Sequence, residues 1–149
     1  MKRTLIIAAA GLVAIGLLAG FGFGHGRGPM DPKKMEKFVT WRINDVMDDI
    51  NATPTQRNAV LAVKDRLLPE VGRLMMERKG THDQFAQAWA SDKPDAKALH
   101  ALIDQRADEL RALAHKVLDG ALEVHATLTP AQREQLAAQA EEMHQMHHP

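Results

Sequence analysis

The chain has 149 residues, of which 45% are apolar, a formal net charge of zero and no cysteine. This length suits one domain, and the apolar content excludes a wholly disordered chain. Because the balanced charge leaves no basic stripe, the composition also excludes a nucleic-acid partner.

The N-terminal residues predict export. Two basic residues precede an uncharged, mostly apolar run from Leu5 to Phe23, which is typical of an export signal whose basic end stays in the cytoplasm. The run is close to the ~20 residues that span a bilayer, and no Ala-x-Ala cleavage site follows it. Residues 1–24 are therefore either an export signal or a retained N-terminal membrane anchor. A glycine-rich tether is expected at residues 25–31. Because the first segment predicts export, we expect a periplasmic protein that is either soluble or tethered to the inner membrane by residues 4–23.

Residues 32–143 show helical periodicity throughout, which predicts an all-α domain of four to five helices. Pro32 opens the first helix, and Asn51 lies in the break that ends it. Thr53-Pro-Thr-Gln56 then restarts a helix as a capping box, in which the Thr53 hydroxyl and the Gln56 amide each bond a backbone N–H group. We interpret this box as structural.

Two residues predict interruptions of the second helix. Pro69 removes a backbone hydrogen bond and should kink or split the helix, and Gly80 should end it. Thr81-His-Asp-Gln84 has the pattern of another capping box and predicts a separate short helix. The longest helix is expected from about Pro94 to Ala126.

The longest helix would extend about 48 Å at ~1.5 Å per residue. Thin partner helices cannot enclose its apolar side, so we expect part of that side to be covered by a second copy or left as an open groove. Met75 and Met76 are expected to pack in the core, and an exposed, adaptable surface is the alternative.

The last helix begins at a second box, Leu128-Thr-Pro-Ala-Gln132, in which Thr129 is the cap. A His- and Met-rich tail is expected at residues 144–149. Imidazole and thioether groups bind Cu, Zn or Ni, and on a continued helix the tail histidines would share one face. The candidate metal ligands are Met143, His144, Met146, His147 and His148. The alternative is a solvated, unstructured terminus, and the fold itself requires no cofactor.

The residue types predict that the protein is not an enzyme. It has no cysteine nucleophile, no His-Glu-x-x-His motif and no glycine-rich phosphate loop, because most of its glycines lie in the predicted signal and tether. The absence of cysteine also means that an exported fold must rely on packing, self-association or a ligand in place of disulfides.

Together with the predicted export signal, the two Thr-Pro-x-Gln boxes resemble the paired Leu-Thr-x-x-Gln motifs of the Spy/CpxP family of periplasmic stress proteins. The resemblance covers roughly Met35 to Met143, and the motifs begin 76 residues apart, at Thr53 and Thr129. Ala52 departs from the pattern, because a leucine is expected before the first threonine. The relatives of this family include periplasmic heavy-metal sensors and zinc-resistance-associated proteins.

The resemblance implies an elongated, curved helical hairpin that forms an antiparallel, cradle-like homodimer. It implies one of two functions. The first is an ATP-independent chaperone, or holdase, of the envelope stress response, which binds unfolded or misfolded periplasmic proteins on the concave face of the dimer. The second is a metal-responsive sensor or accessory protein that binds Cu, Zn or Ni and acts through a membrane sensor kinase or another signalling partner.

Overall fold

The computed structural model describes residues 31–147, apart from the side chains of Lys79 and of residues 143–147. Four helices make up almost all of this part of the chain: α1 (Pro32–Asp49), α2 (Pro54–Trp89), α3 (Ala96–Thr127) and α4 (Pro130–His147). Because no strand occurs among the described residues, the predicted all-α fold is confirmed. None of the described helices is long and apolar enough to cross a membrane. The predicted export segment, residues 1–24, and the tether up to residue 30 lie outside the described residues.

Short polar side chains begin the helices and turn the chain. Asp31 caps α1 by accepting a hydrogen bond from the Lys33 backbone N–H at 2.9 Å, and Asp95 caps α3 by accepting one from Ala98 at 3.0 Å. Between α1 and α2, Asn51 has a φ of 50°, in the left-handed region that asparagine tolerates better than most residues. The chain therefore reverses direction within a few residues at this junction.

Helix α2 is continuous, so the predicted split at Pro69 and the predicted end at Gly80 are wrong. It neither splits at Pro69 nor ends at Gly80, and no separate short helix begins at Thr81. Pro69 is exposed, so water can satisfy the carbonyl that loses its helical donor. The Thr81 hydroxyl donates to the Glu77 carbonyl four residues earlier, at 3.1 Å, which is how a threonine bonds inside a helix.

The first three helices pack antiparallel to their neighbours in the chain. Lys64 Nζ donates to Thr40 Oγ1 at 3.1 Å, and Arg57 donates to Asn44 at the same distance, so α1 runs back along the first half of α2. Helix α3 runs back along the whole of α2. Ion pairs join these two long helices at three levels: Arg66–Glu123 at 2.8 Å, Glu70–Lys116 at 2.7 Å and Glu77–Arg106 at 2.6 Å.

The core lies where α1, the first half of α2 and the second half of α3 are level with one another. Met47 and Val60 are fully buried there, and Leu136 of α4 is 1% exposed. Gly120 permits α3 to approach α2 closely, because a Cβ at this position would lie 2.8 Å from Val63 Cγ1. This end of the molecule therefore carries most of the apolar packing.

No described side chain between residues 73 and 112 is buried. We call this part of the α2–α3 hairpin the distal arm. Met75 and Met76 are 41% and 64% exposed in it, so the prediction that they pack in the core is wrong. The reason is that α1 begins level with Gly72, whose Cβ position lies 3.3 Å from the Met35 methyl group, and covers nothing beyond that point.

Candidate functional site

Both motif threonines lie at helix starts and form the same box. Thr53 is the N-cap of α2: its hydroxyl accepts from the Gln56 N–H at 3.2 Å, and its own N–H donates to Gln56 Oε1 at 2.9 Å. Thr129 and Gln132 make the equivalent bonds at the start of α4, at 3.3 and 2.9 Å. Each box therefore satisfies two backbone groups of a helix terminus.

The two boxes also contact each other. Gln56 Nε2 donates to Gln132 Oε1 at 2.9 Å, and Gln132 Nε2 donates back to Gln56 Oε1 at 3.1 Å. Gln56 Nε2 further donates to the Thr127 carbonyl at 3.0 Å, and Gln132 Nε2 lies 3.4 Å from the Ile50 carbonyl. We call the paired amides the glutamine clasp; it joins the α1–α2 junction to the α3–α4 junction.

Sequence reasoning missed this contact, although the spacing carries a signal for it. Gln56 and Gln132 are equidistant from Pro94, which lies in the turn between α2 and α3. Two residues equidistant from the turn of an antiparallel hairpin come level with each other. Gln132 lies in the first turn of α4, just after α3 ends at Thr127, so the equal spacing places the two amides near the same level once α2 is recognised as continuous.

The residues before each motif threonine fill the core beneath the clasp. Leu128 is 5% exposed and belongs to the apolar core. Ala52, at the equivalent place in the first motif, is half-buried and packs against the same core. The departure from leucine at this position thus keeps an apolar contact with a smaller side chain.

Helix α3 exposes a second apolar stripe beside its buried one. Ile103, Leu110, Leu118 and Leu122 are between 51% and 60% exposed, and Ala107 and Ala114, which lie between them at helical spacing, are exposed too. The buried stripe of the same helix consists of Leu113, Val117, Gly120, Ala121 and Val124. The exposed set, which we call the α3 stripe, agrees with the expectation that part of this apolar side is left uncovered. The prediction that this helix is the longest is wrong, because the continuous α2 has 36 residues and α3 has 32.

Exposed aromatic residues occur at two separate places. Phe38 and Trp41 of α1 are 49% and 58% exposed, and their ring centroids are 6.0 Å apart. At the end of the hairpin, Phe85 and Trp89 border a small cleft of about 340 Å³ together with Leu99. Trp89 is 92% exposed, more than the other large apolar side chains described.

A cluster of charged side chains holds the two helices of the distal arm together. Arg106 donates to Glu77 and to Glu109, both at 2.6 Å, and Arg73 donates to Glu77 at 2.9 Å. The hydrogen bonds from Arg106 and Arg73 lower the pKa of Glu77 below its usual value. A hydrogen bond from Gln105, and then one from Arg106, lower the pKa of Glu109. Glu77 and Glu109 in turn raise the pKa of Arg106.

A larger cleft lies beside the start of α1. Its volume is about 660 Å³, and Met35, Leu68 and Met76 supply apolar walls. Charged groups of both signs, among them Glu36, Asp65 and Arg73, surround the opening. The cleft marks the level at which α1 stops covering α2.

The described side chains form no metal site of their own. Residues 31–142 contain no group of three or more His, Asp or Glu side chains that could hold a metal ion. The backbone of α4 continues as helix to His147, beyond the predicted end at Met143. The side chains of Met143, His144, Met146 and His147, and the whole of His148, lie outside the described residues.

These features define a helical-hairpin protein with two capping boxes joined at its base and an exposed apolar surface along α3. A model of the family described as heavy-metal resistance matches residues 4–135, and the chain belongs to that family. The match confirms the resemblance drawn from the paired motifs. Neither a curated protein nor a solved structure gives a match to the chain.

The family description implies a metal, and the donor atoms of the described residues do not fit one. His100 and His115 are exposed, and each has only one carboxylate, Asp104 or Asp119, a helical turn away. Two exposed donors fall short of the four ligands that a structural zinc site requires. No mechanism that uses a bound metal can therefore be assigned to the described residues.

Proposed function

We propose that the protein is a periplasmic, ATP-independent holdase that binds apolar segments of unfolded proteins. The observation that carries this proposal is the α3 stripe, whose four large aliphatic residues remain more than half exposed. Such a stripe costs free energy in water and binds exposed apolar segments of other chains by burial. The proposed function is binding without catalysis.

A second copy of the chain is the other partner that we propose. An antiparallel dimer would cover part of the exposed surface of the distal arm and leave the rest facing the client. Exposed charged residues of α3, such as Arg111 and Lys116, would speed encounter with clients without fixing their sequence. Residues 4–23 would deliver the chain to the periplasm and, if uncleaved, tether it to the inner membrane.

The holdase proposal is tested by light scattering of a chemically denatured client diluted into buffer without ATP. The chain from His25 onward, at stoichiometric amounts, should suppress aggregation. Replacing Leu110 and Leu118 with Gln should weaken client binding by at least about tenfold, since each fully buried leucine contributes about 1.5–3 kcal/mol. A matched control replaces the exposed Ala101 and Ala112, which lie on another side of α3, with Gln. Equal suppression by both double variants would remove the α3 stripe from the argument.

The family match supports a second proposal, that of a metal-responsive accessory or sensor protein. In this function Met143, His144, Met146, His147 and His148 would bind Cu, Zn or Ni, and a membrane sensor kinase or another partner would receive the signal. Calorimetric titration of the chain with each ion tests it. Deleting residues 143–149 should abolish binding, whereas replacing His100 and His115 with Gln should leave it unchanged. Binding that survives the deletion would place the metal elsewhere.

A further inference from the structure

The end of the α2–α3 hairpin carries an aromatic surface that the holdase proposal does not use. Trp89 is 92% exposed at the last residue of α2, and Phe85 lies one turn before it and is 37% exposed. Leu99 and Pro94 border the same small cleft from the other side of the turn. We call these four residues the hairpin tip.

The described chain begins at the end of α1 that lies nearer this tip. Because α1 runs antiparallel to α2, its first residue is the end of α1 nearest the tip. Pro32 and Lys33 line the cleft together with Gly72 and Met76, which places the start of α1 level with these residues. The chain that precedes Asp31 is therefore attached to the fold at the end of α1 nearer the hairpin tip.

The length of that chain matches the distance to the tip. Trp89 lies 13 residues beyond Met76, or about 20 Å along the axis of α2. The eight residues from Gly24 to Asp31 reach at most about 27 Å when fully extended. If the apolar run from Leu5 to Phe23 is held in a bilayer, the tether is long enough for the tip to reach the bilayer surface.

We propose that, in the tethered form of the protein, the hairpin tip inserts Trp89 and Phe85 into the membrane interface. Tryptophan is favoured there because its ring is apolar and its indole N–H can bond to the headgroup region. The charged residues around the tip, which are Asp83, Asp92, Lys93, Asp95 and Lys97, nearly balance and supply no strong attraction to anionic lipid. The contact depends instead on the tether, which makes it intramolecular and gives it a high effective concentration.

The consequence is a defined orientation of the tethered molecule. When the tether and the hairpin tip are both held at the membrane, α2 and α3 stand with their turn toward the bilayer. The glutamine clasp then lies at the end farthest from the bilayer. The α3 stripe then runs away from the membrane and stays open to the periplasm.

Tryptophan fluorescence tests this proposal, because the chain contains only two tryptophans. The full chain is made by cell-free synthesis in the presence of vesicles of phosphatidylethanolamine and phosphatidylglycerol, with or without a phosphatidylcholine brominated on its acyl chains. Trp41→Phe leaves Trp89 as the reporter, and Trp89→Phe leaves Trp41. Thr40, next to Trp41, is bonded to Lys64, which lies 25 residues before Trp89, or ~37 Å along α2.

Brominated lipid quenches only at contact distances, so the two reporters should respond differently. Trp89 should lose at least about twice the fraction of its emission that Trp41 loses, as expected for a ring at the interface. The loss should persist when phosphatidylglycerol is omitted. Both replaced side chains are exposed, and an unchanged helical circular dichroism spectrum checks that each variant is folded. Equal quenching of the two reporters, no quenching of Trp89, or no association of the chain with vesicles would overturn the proposal.

Discussion

The glutamine clasp should couple the two capping boxes energetically. Gln132 is 8% exposed, and its amide bonds Gln56 twice, the Thr129 N–H once and the Ile50 carbonyl weakly. At about 0.5–1.5 kcal/mol net for each hydrogen bond, and more for a partner left buried, Gln132→Ala should cost about 2–4 kcal/mol of the free energy of unfolding. Gln56→Ala removes a half-buried amide and should cost about 1.5–3 kcal/mol.

The double variant separates the clasp from simple capping. The two bonds between the amides are lost in either single variant and cannot be lost twice, so the double variant should be about 1–2 kcal/mol more stable than the sum of the single effects predicts. Urea unfolding followed by circular dichroism measures all three values. Gln84→Ala is the matched control: Gln84 belongs to the third Thr-x-x-Gln sequence, which lies exposed within α2, and its loss should change stability by less than about 0.5 kcal/mol. Additivity of Gln56→Ala and Gln132→Ala within about 0.5 kcal/mol would refute the coupling.

Two further predictions concern the packing of α3 and the distal arm. Gly120→Ala should destabilise the protein by about 0.5–2 kcal/mol, because the new Cβ would press on Val63. The Cβ of Gly80→Ala meets open space, so this substitution should stabilise α2 by about 0.5–1 kcal/mol. Thermal unfolding of the two variants shows whether the changes in stability have opposite signs. The pKa values of Glu77 and Glu109 are lower in the folded state than in the unfolded chain. The contribution of these two carboxylates to the free energy of unfolding is therefore complete above the usual glutamate pKa of about 4.3, and it is lost as the pH falls through their lower pKa values in the folded state. Arg106→Met should therefore flatten the acid side of the stability–pH curve, and a curve of unchanged slope would contradict this assignment.

The sequence was a good guide to the fold wherever a single local interaction decides the structure. Helix starts at Pro32, Pro54 and Pro130 follow from the cap and proline patterns, and the apolar side of α3 follows from its helical periodicity. The same local reasoning failed at Pro69 and Gly80. Neither residue alone outweighs a helix that is paired with α3 at Arg66 and Glu70, which flank Pro69, and at Glu77, just before Gly80.

The contacts that the sequence did not predict join distant parts of the chain. The glutamine clasp links residues 76 positions apart, and Arg106 bonds Glu77 across 29 positions. Helical periodicity identifies which side of a helix is apolar but not which polar residues of two helices come level. That information depends on where the turn between α2 and α3 lies, and the position of this turn depends on whether α2 is continuous.

The uneven distribution of buried side chains explains how one small chain can have a packed core and still expose apolar surface. The base of the molecule combines the apolar core with the glutamine clasp, while the distal arm has no buried side chain among those described and relies on the charged cluster around Arg106. A segment with few buried contacts opens at a lower free energy than the whole fold. The arm should therefore open more readily than the base, so the part of the α3 stripe that lies on the arm, Ile103 and Leu110, is left exposed without weakening the core.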